Sequence, residues 1–162
     1  MGPNASSQNP EIAAFLERNH IAVLATAYKD TSAPHAAVIY YTSTSRLNLF
    51  FITKSNTQKS RNIVSNPQVA LAIYEADSQT TAQINGSAQK IDDPDRLKTA
   101  VELMHKYSQA TAQTGTLPAD RLKAGDYVLY EVTPQSIRMG RYKYAADDQI
   151  FTTALPPAES LE

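Results

Sequence analysis

The sequence predicts a mainly β protein with a few helices (α+β), in which six antiparallel strands curl into a barrel. Short runs of hydrophobic, β-branched and aromatic residues recur along the chain, and clusters of polar turn residues separate them. Gly86 lies inside the fifth of these runs. A glycine within a strand usually marks a bulge or a close backbone approach, so it indicates a sheet that curls instead of lying flat. A curling sheet closes into a barrel.

Length and composition narrow the class of protein. A chain of 162 residues fits one ordinary domain, and we expect residues 1–9 and 155–162 to lie outside its ordered part. The net charge of −1 offers no general attraction to nucleic acid or to anionic lipid. The absence of cysteine excludes thiol catalysis and disulfides, and no apolar run approaches the roughly 20 residues of a membrane span. We therefore expect a cytoplasmic protein without nucleic-acid or membrane partners.

The first half of the chain predicts one helix and a three-stranded meander. Apolar residues at helical spacing predict a helix over Glu11–Asn19, with Pro10 in the favoured first turn. Ile21–Ala27 is hydrophobic except for Thr26 and is predicted as a buried strand. Pro34–Tyr41 returns beside it as a hairpin, and Leu47–Thr53 supplies the third strand.

A short helix and two further strands follow. The helix is predicted over Thr57–Val64 and ends before Asn66-Pro67, since the residue before a proline disfavours helix. Gln68–Tyr74 and Thr81–Ile91 have the composition of strands.

The last part of the chain predicts a long helix and the sixth strand. Asp92-Asp93-Pro94 supplies a cap and a first-turn proline, and apolar residues at helical spacing follow. Ser108–Gly125 is a polar connection, and Asp126–Met139 alternates as a strand. Tyr142–Phe151 is predicted to add a short ribbon.

The junction between the third strand and the second helix has the composition of a phosphate site. A helix N-terminus offers unpaired backbone N–H groups and about half a positive charge. Thr57 stands at that position, and Lys54, Lys59 and Arg61 surround it with full charges. The glycines of a nucleotide triphosphate loop are absent, so the site is expected to hold a single phosphate. The alternative is an ordinary capped helix with solvated cations.

The same junction resembles the FMN-binding split-barrel family typified by pyridoxamine 5′-phosphate oxidase. The family pattern of an aromatic residue, two hydroxyl residues and a lysine falls on Phe51, Thr53, Thr57 and Lys59. The flanking Asn66-Pro67 pair and Gly86 agree with it, and the similarity extends from about Phe15 to Ile91.

The resemblance implies a six-stranded antiparallel split barrel of Greek-key type with flanking helices. It also implies FMN as the cofactor, held at the subunit interface of a homodimer. The hydroxyl and ammonium groups of the junction would bind the flavin phosphate, and the second strand would line the ring. The implied cofactor-binding residues are Val38, Ile39, Tyr40, Thr53, Lys54, Thr57, Gln58 and Lys59.

Departures from the oxidase narrow the expected function. The oxidase has arginines where this chain has Ala37 and Gln58, and its tryptophan-containing C-terminal segment has no counterpart in a chain without tryptophan. The closer likeness is to the general-stress and other flavin-binding branches. The expected function is an FMN-dependent oxidoreductase acting on an unspecified small molecule, with no catalytic residue assigned. The alternatives are a deazaflavin-dependent reductase and a flavin-binding carrier or stress sensor without turnover. The three histidines share no metal-ligand spacing, so no metal is expected.

Overall fold

The protein folds into three helices and seven strands within residues 10–111, 127–143 and 151–154, the ranges that this computed structural model describes. In chain order the elements are α1 (Pro10–Arg18), β1 (Ile21–Ala27), β2 (Pro34–Ser43), β3 (Leu49–Lys54), α2 (Gln58–Ser65), β4 (Gln68–Glu75), β5 (Thr80–Ile91), α3 (Pro94–Thr111), β6 (Tyr127–Arg141) and β7 (Phe151–Ala154). The six predicted strands are confirmed, with closely similar boundaries. The predictions for both termini, for most of the connection after α3 and for most of the ribbon fall outside the described residues.

The strands form one antiparallel sheet that closes on itself. Their order is β3-β2-β1-β4-β5-β6-β7, and a further pairing of β3 with β6 closes β1 to β6 into a six-stranded barrel. Strands β1, β2 and β3 are the predicted meander, and β4 returns to lie beside β1, which is the Greek-key arrangement. β7 extends the sheet beyond β6.

The barrel interior is packed with apolar side chains from α1 and from all six barrel strands. Phe51 and Tyr130 stack there with ring centroids 5.4 Å apart. Three residues of α1, Ile12, Phe15 and Leu16, are buried in the same core. The core therefore joins the first helix to the barrel.

Strand β3 is buried on both faces, which explains its unbroken hydrophobic sequence. Leu49 and Phe51 point into the barrel, whereas Phe50 joins a second cluster with Ala100 and Met104 of α3. A strand covered on both sides has no polar face to present. Although α3 is the longest helix described, none of the helices in the described ranges is long and apolar enough to cross a membrane.

Strand β1 was predicted to be buried, and this prediction is wrong for one of its faces. Ala22 and Leu24 lie in the core, but Ile21 and Val23 are 54% and 42% exposed. No described element covers β1 on the outside as α3 covers β3. Its hydrophobic run therefore produces an exposed apolar surface instead of a doubly buried strand.

This surface continues over the neighbouring strands, and we call it the outer sheet face. Val23 is paired with Val38 of β2 on one side and with Ala72 of β4 on the other. The outer sheet face consists of apolar residues on three adjacent strands: Ile21, Val23, Ala25, Ala36, Val38, Tyr40, Ala70, Ala72 and Tyr74. Contiguous exposed apolar surface of this kind marks interaction sites.

Gly86 marks the predicted irregularity in β5. The pairing of β5 with β6 shifts register between Asn85 and Gly86, where Pro134 opposes Gly86. A Cβ at position 86 would lie 2.6 Å from the Thr133 carbonyl oxygen, a distance that the backbone could relieve only by moving. Glycine is therefore required here by close backbone approach.

Gly86→Ala is expected to destabilise the protein by about 1–3 kcal/mol, because the added methyl group overpacks the contact between β5 and β6. The free energy of unfolding in urea measures this loss. Gln89→Ala, an exposed substitution in the same strand, serves as the control and should change stability by less than about 0.5 kcal/mol. Equal stability of the two variants would contradict the steric account.

Candidate functional site

The barrel wall is open between β2 and the end of β3. Residues Tyr41 to Ser43 of β2 pair with β3, but residues Pro34 to Tyr40 pair with β1. β3 leaves β2 after Phe51 and continues along β6 as far as Lys54. One edge of β2 is therefore not paired with β3 over this stretch, and its backbone N–H and C=O groups can bind a ligand. We call this opening the gap.

Helix α2 is fixed to the barrel from two directions. Asn62 Nδ2 donates to Thr26 Oγ1 of β1 at 3.0 Å, and the hydroxyl groups of Ser60 and Tyr130 of β6 lie 2.7 Å apart. All four side chains are buried. Since β1 adjoins β2 and β6 adjoins β3, these two hydrogen bonds tie the helix to both walls that flank the gap.

Thr57 is the N-cap of α2. Its hydroxyl donates to the Lys54 carbonyl oxygen at 3.0 Å and accepts the Ser60 backbone N–H at 3.4 Å. The Thr53 hydroxyl lies 3.3 Å from it. The capping interpretation is thus confirmed for Thr57. The hydroxyl has one proton, so it can donate to a phosphate only if that proton turns away from the Lys54 carbonyl oxygen.

The first turn of α2 carries positive charge without a matching acid. The turn has no acidic residue, although a helix N-terminus favours one. Lys59 is half-buried, and burial lowers the pKa of its amine below the ordinary value. Among the described residues, no carboxylate pairs with Lys54, Lys59 or Arg61. The Lys59 ammonium also has no hydrogen-bond partner among the described residues. This donor set fits an anionic phosphate.

The predicted residues of β2 divide between the two faces of the strand. Val38 and Tyr40 are exposed on the outer sheet face, whereas the Ile39 side chain points into the core. Tyr40 and Tyr41 lie on opposite faces of β2, since Tyr41 is buried. His35 Nδ1 is buried on the inner side of the strand and has no hydrogen-bond partner among the described residues.

The structure brings the predicted residues of the junction together but gives Gln58 a different environment. Thr53, Lys54, Thr57 and Lys59 surround the turn that begins α2. The Gln58 side chain is engaged within the protein: its Nε2 donates to Asn62 Oδ1 at 2.7 Å. Sequence reasoning missed the anchoring roles of Ser60 and Asn62. No local sequence pattern marked them, because the burial of a polar side chain depends on how the helix packs.

A comparison with profiles of known protein families identifies the family of this chain. A profile described as Pyridoxamine 5′-phosphate oxidase matches residues 8–140, which is most of the chain. The chain belongs to this family. The gap between β2 and β3 is accordingly the split of a split barrel. No curated protein matches the sequence.

Several solved structures are similar to this member of the pyridoxamine 5′-phosphate oxidase family, and the proteins in them have different names. An F420 reductase is 25% identical, with a TM-score of 0.59, and the match covers 76% of this chain and 93% of that protein. An FMN-binding protein from Nostoc punctiforme is 15% identical (TM-score 0.63; 93% and 97% covered). General stress protein 26 from Bacillus anthracis is 18% identical (TM-score 0.59; 80% and 91% covered). The last two likenesses concern the fold alone.

Proposed function

We propose that this protein is an FMN-dependent oxidoreductase that binds the flavin phosphate at the first turn of α2. The observation that supports this proposal concerns the described residues: none of their carboxylates pairs with the positive charge of that turn, and none of their strands pairs with β2 along the gap. Lys59 would hold the phosphate with a full charge, and backbone N–H groups of the turn would add hydrogen bonds. Membership of a family whose solved relatives include an FMN-binding protein supports this assignment.

The ring would then lie along the free edge of β2. The N–H and C=O groups of successive strand residues point to opposite edges. Those of Val38 and Tyr40 face the gap, and those of Ile39 face β1. The Thr53 hydroxyl stands on the opposite side of the gap. Unpaired strand groups and one hydroxyl suit the donors and acceptors on the edge of a flat heterocycle. When bound, the isoalloxazine ring supplies the redox chemistry, and the chain supplies binding and orientation.

We further propose that the active form is a homodimer joined through the outer sheet face. That face is apolar and exposed over β1, β2 and β4, and a flat surface rich in alanine permits close contact with a second copy. Val38 and Tyr40 belong both to this face and to the edge of the gap. A second subunit seated here would therefore border the flavin.

Absorbance of the purified protein tests the proposed function. Protein reconstituted with FMN is expected to be yellow, to bleach under NADH or NADPH without oxygen, and to recover its colour when air is admitted. A flavin that binds but stays oxidised with both donors would favour the carrier or sensor function instead. Failure to bind FMN at micromolar concentration would overturn the proposal.

The second candidate function is that of a deazaflavin-dependent reductase, and the 25% identity to an F420 reductase supports it. Both cofactors carry a phosphate on the side chain of a tricyclic ring, so the same site chemistry serves either. Parallel titrations with FMN and with an F420-type deazaflavin separate the two candidates. Binding of the deazaflavin at least ten times tighter than FMN would replace the first assignment.

A further inference from the structure

A chain of hydrogen bonds connects the surface of α2 with the barrel. Arg61 Nη2 donates to Gln58 Oε1 at 2.9 Å, and Gln58 Nε2 donates to Asn62 Oδ1 at 2.7 Å. Asn62 Nδ2 in turn donates to Thr26 Oγ1 at 3.0 Å. Both ends of the Gln58 amide are thus engaged, and Asn62 is only 1% exposed. Because its inner end is buried, the chain fixes its outer end, the Arg61 guanidinium.

The chain places this guanidinium over the turn that begins α2. Long side chains on a helix point toward its N-terminus. Arg61 follows this rule, since its Nη1 donates to the Asn56 carbonyl oxygen at 2.6 Å. A guanidinium has five N–H donors, so further donors remain for a ligand. The position is electrostatically unfavourable for a cation without an anion beside it.

We propose that Arg61 is the second cation for the flavin phosphate, and that Gln58 and Asn62 are its positioning residues. This inference rests on the proposed function. Lys59 supplies one charge from the half-buried side of the helix, and Arg61 supplies the other from its exposed side. Two cations match a phosphate dianion, so this pair selects the phosphorylated flavin over riboflavin, which has the same ring but no charge there.

The alternative for Arg61 is that it only braces the turn through Asn56. The two roles differ in the ligand that they affect. A brace would alter the shape of the site and change the binding of any flavin. A phosphate-binding cation affects FMN and leaves riboflavin unchanged. The ratio of FMN affinity to riboflavin affinity therefore distinguishes them.

The experiment measures dissociation constants for FMN and riboflavin, by flavin fluorescence, in four variants. Arg61→Gln is expected to weaken FMN binding about 10- to 100-fold, the range for a lost charge-assisted hydrogen bond, and to leave riboflavin within about 2-fold. Arg61→Lys should restore part of the loss, because it keeps the charge but not the fork of donors. Arg46→Gln, an exposed arginine in the turn before β3, is the matched control and should bind both flavins as the wild type does.

Gln58→Met tests the positioning role, because it keeps the length of the side chain and removes both hydrogen bonds. FMN binding should weaken about 3- to 10-fold, with riboflavin binding unchanged. The urea midpoint should fall, because the buried Asn62 Oδ1 loses its donor. An unchanged FMN-to-riboflavin ratio in Arg61→Gln would overturn this inference and leave the proposed function standing, provided that wild-type protein binds FMN. A wild-type protein that binds no flavin would overturn both.

Discussion

The double variant Thr57→Ala/Lys59→Ala is expected to bind FMN more than about 100-fold less tightly than the wild type, with its fold intact. Hydrogen bonds to charged groups contribute about 1.5–3 kcal/mol each, and this variant removes the Lys59 ammonium together with a hydroxyl at the same turn. Equilibrium dialysis with FMN measures the affinity, and circular dichroism checks the fold. Full flavin occupancy in the double variant would contradict the assignment of the site.

The single variants separate binding from stability. Lys59 is half-buried and lacks a described partner, so Lys59→Ala removes a charge that burial disfavours. The flavin-free variant should melt at or above the wild-type temperature, whereas FMN should stabilise only the wild type. Thr57→Ala loses the helix cap and should cost about 1 kcal/mol of stability, and Thr57→Ser should restore it. A large loss of stability in Lys59→Ala would show that the lysine is structural.

The pH dependence of FMN binding gives a second readout for Lys59. The amine must be protonated to hold the phosphate, and burial lowers its pKa in the free protein. Affinity should therefore fall as the pH rises through that lowered pKa. It should also fall below about pH 6, where the phosphate loses its second charge. Lys59→Ala should remove the alkaline fall and keep the acid one.

Sequence patterns identified the strands but not what covers them. β1 and β3 are both continuous hydrophobic runs, and each was consistent with a strand buried on both faces. Only β3 has that environment, because α3 packs Ala100 and Met104 against its outer side. The tertiary position of a helix that begins forty residues after the end of β3 decides this difference. Local sequence therefore could not reveal that Val23 would be exposed.

The sequence predicted the part of the candidate site whose residues lie close together along the chain. Thr53, Thr57 and Lys59 lie within one strand-to-helix junction, so their spacing alone brings them together. The link from Asn62 to Thr26 spans 36 positions and depends on α2 lying across the gap. The hydrogen bond between Gln58 and Asn62 is an i,i+4 contact within α2, which the spacing allows. The burial of Asn62 against Thr26 depends on tertiary packing and could not be predicted from the local sequence.

Substitution of Val23 by a charged residue is expected to raise the dimer dissociation constant more than about 100-fold. Val23 lies between Val38 and Ala72 on the outer sheet face, and a twofold interface would contain the substitution twice. Burying an unpaired charge costs several kcal/mol, far more than the interface gains from one valine. Val23→Glu and Val23→Arg should act alike, because desolvation penalises either sign. Sedimentation equilibrium measures the effect.

Both variants should fold, because the Val23 side chain is already 42% exposed in the single subunit. Val64→Arg is the matched control. This valine is 79% exposed, is not part of the outer sheet face, and lies in the last turn of α2, where a cation is favoured. It should remain dimeric. If a second subunit borders the flavin through Val38 and Tyr40, the Val23 variants should also lose FMN affinity as they dissociate. Monomers that bind FMN as tightly as the wild type would place the whole cofactor site within one subunit, and wild-type protein that is monomeric at high concentration would rule out the dimer.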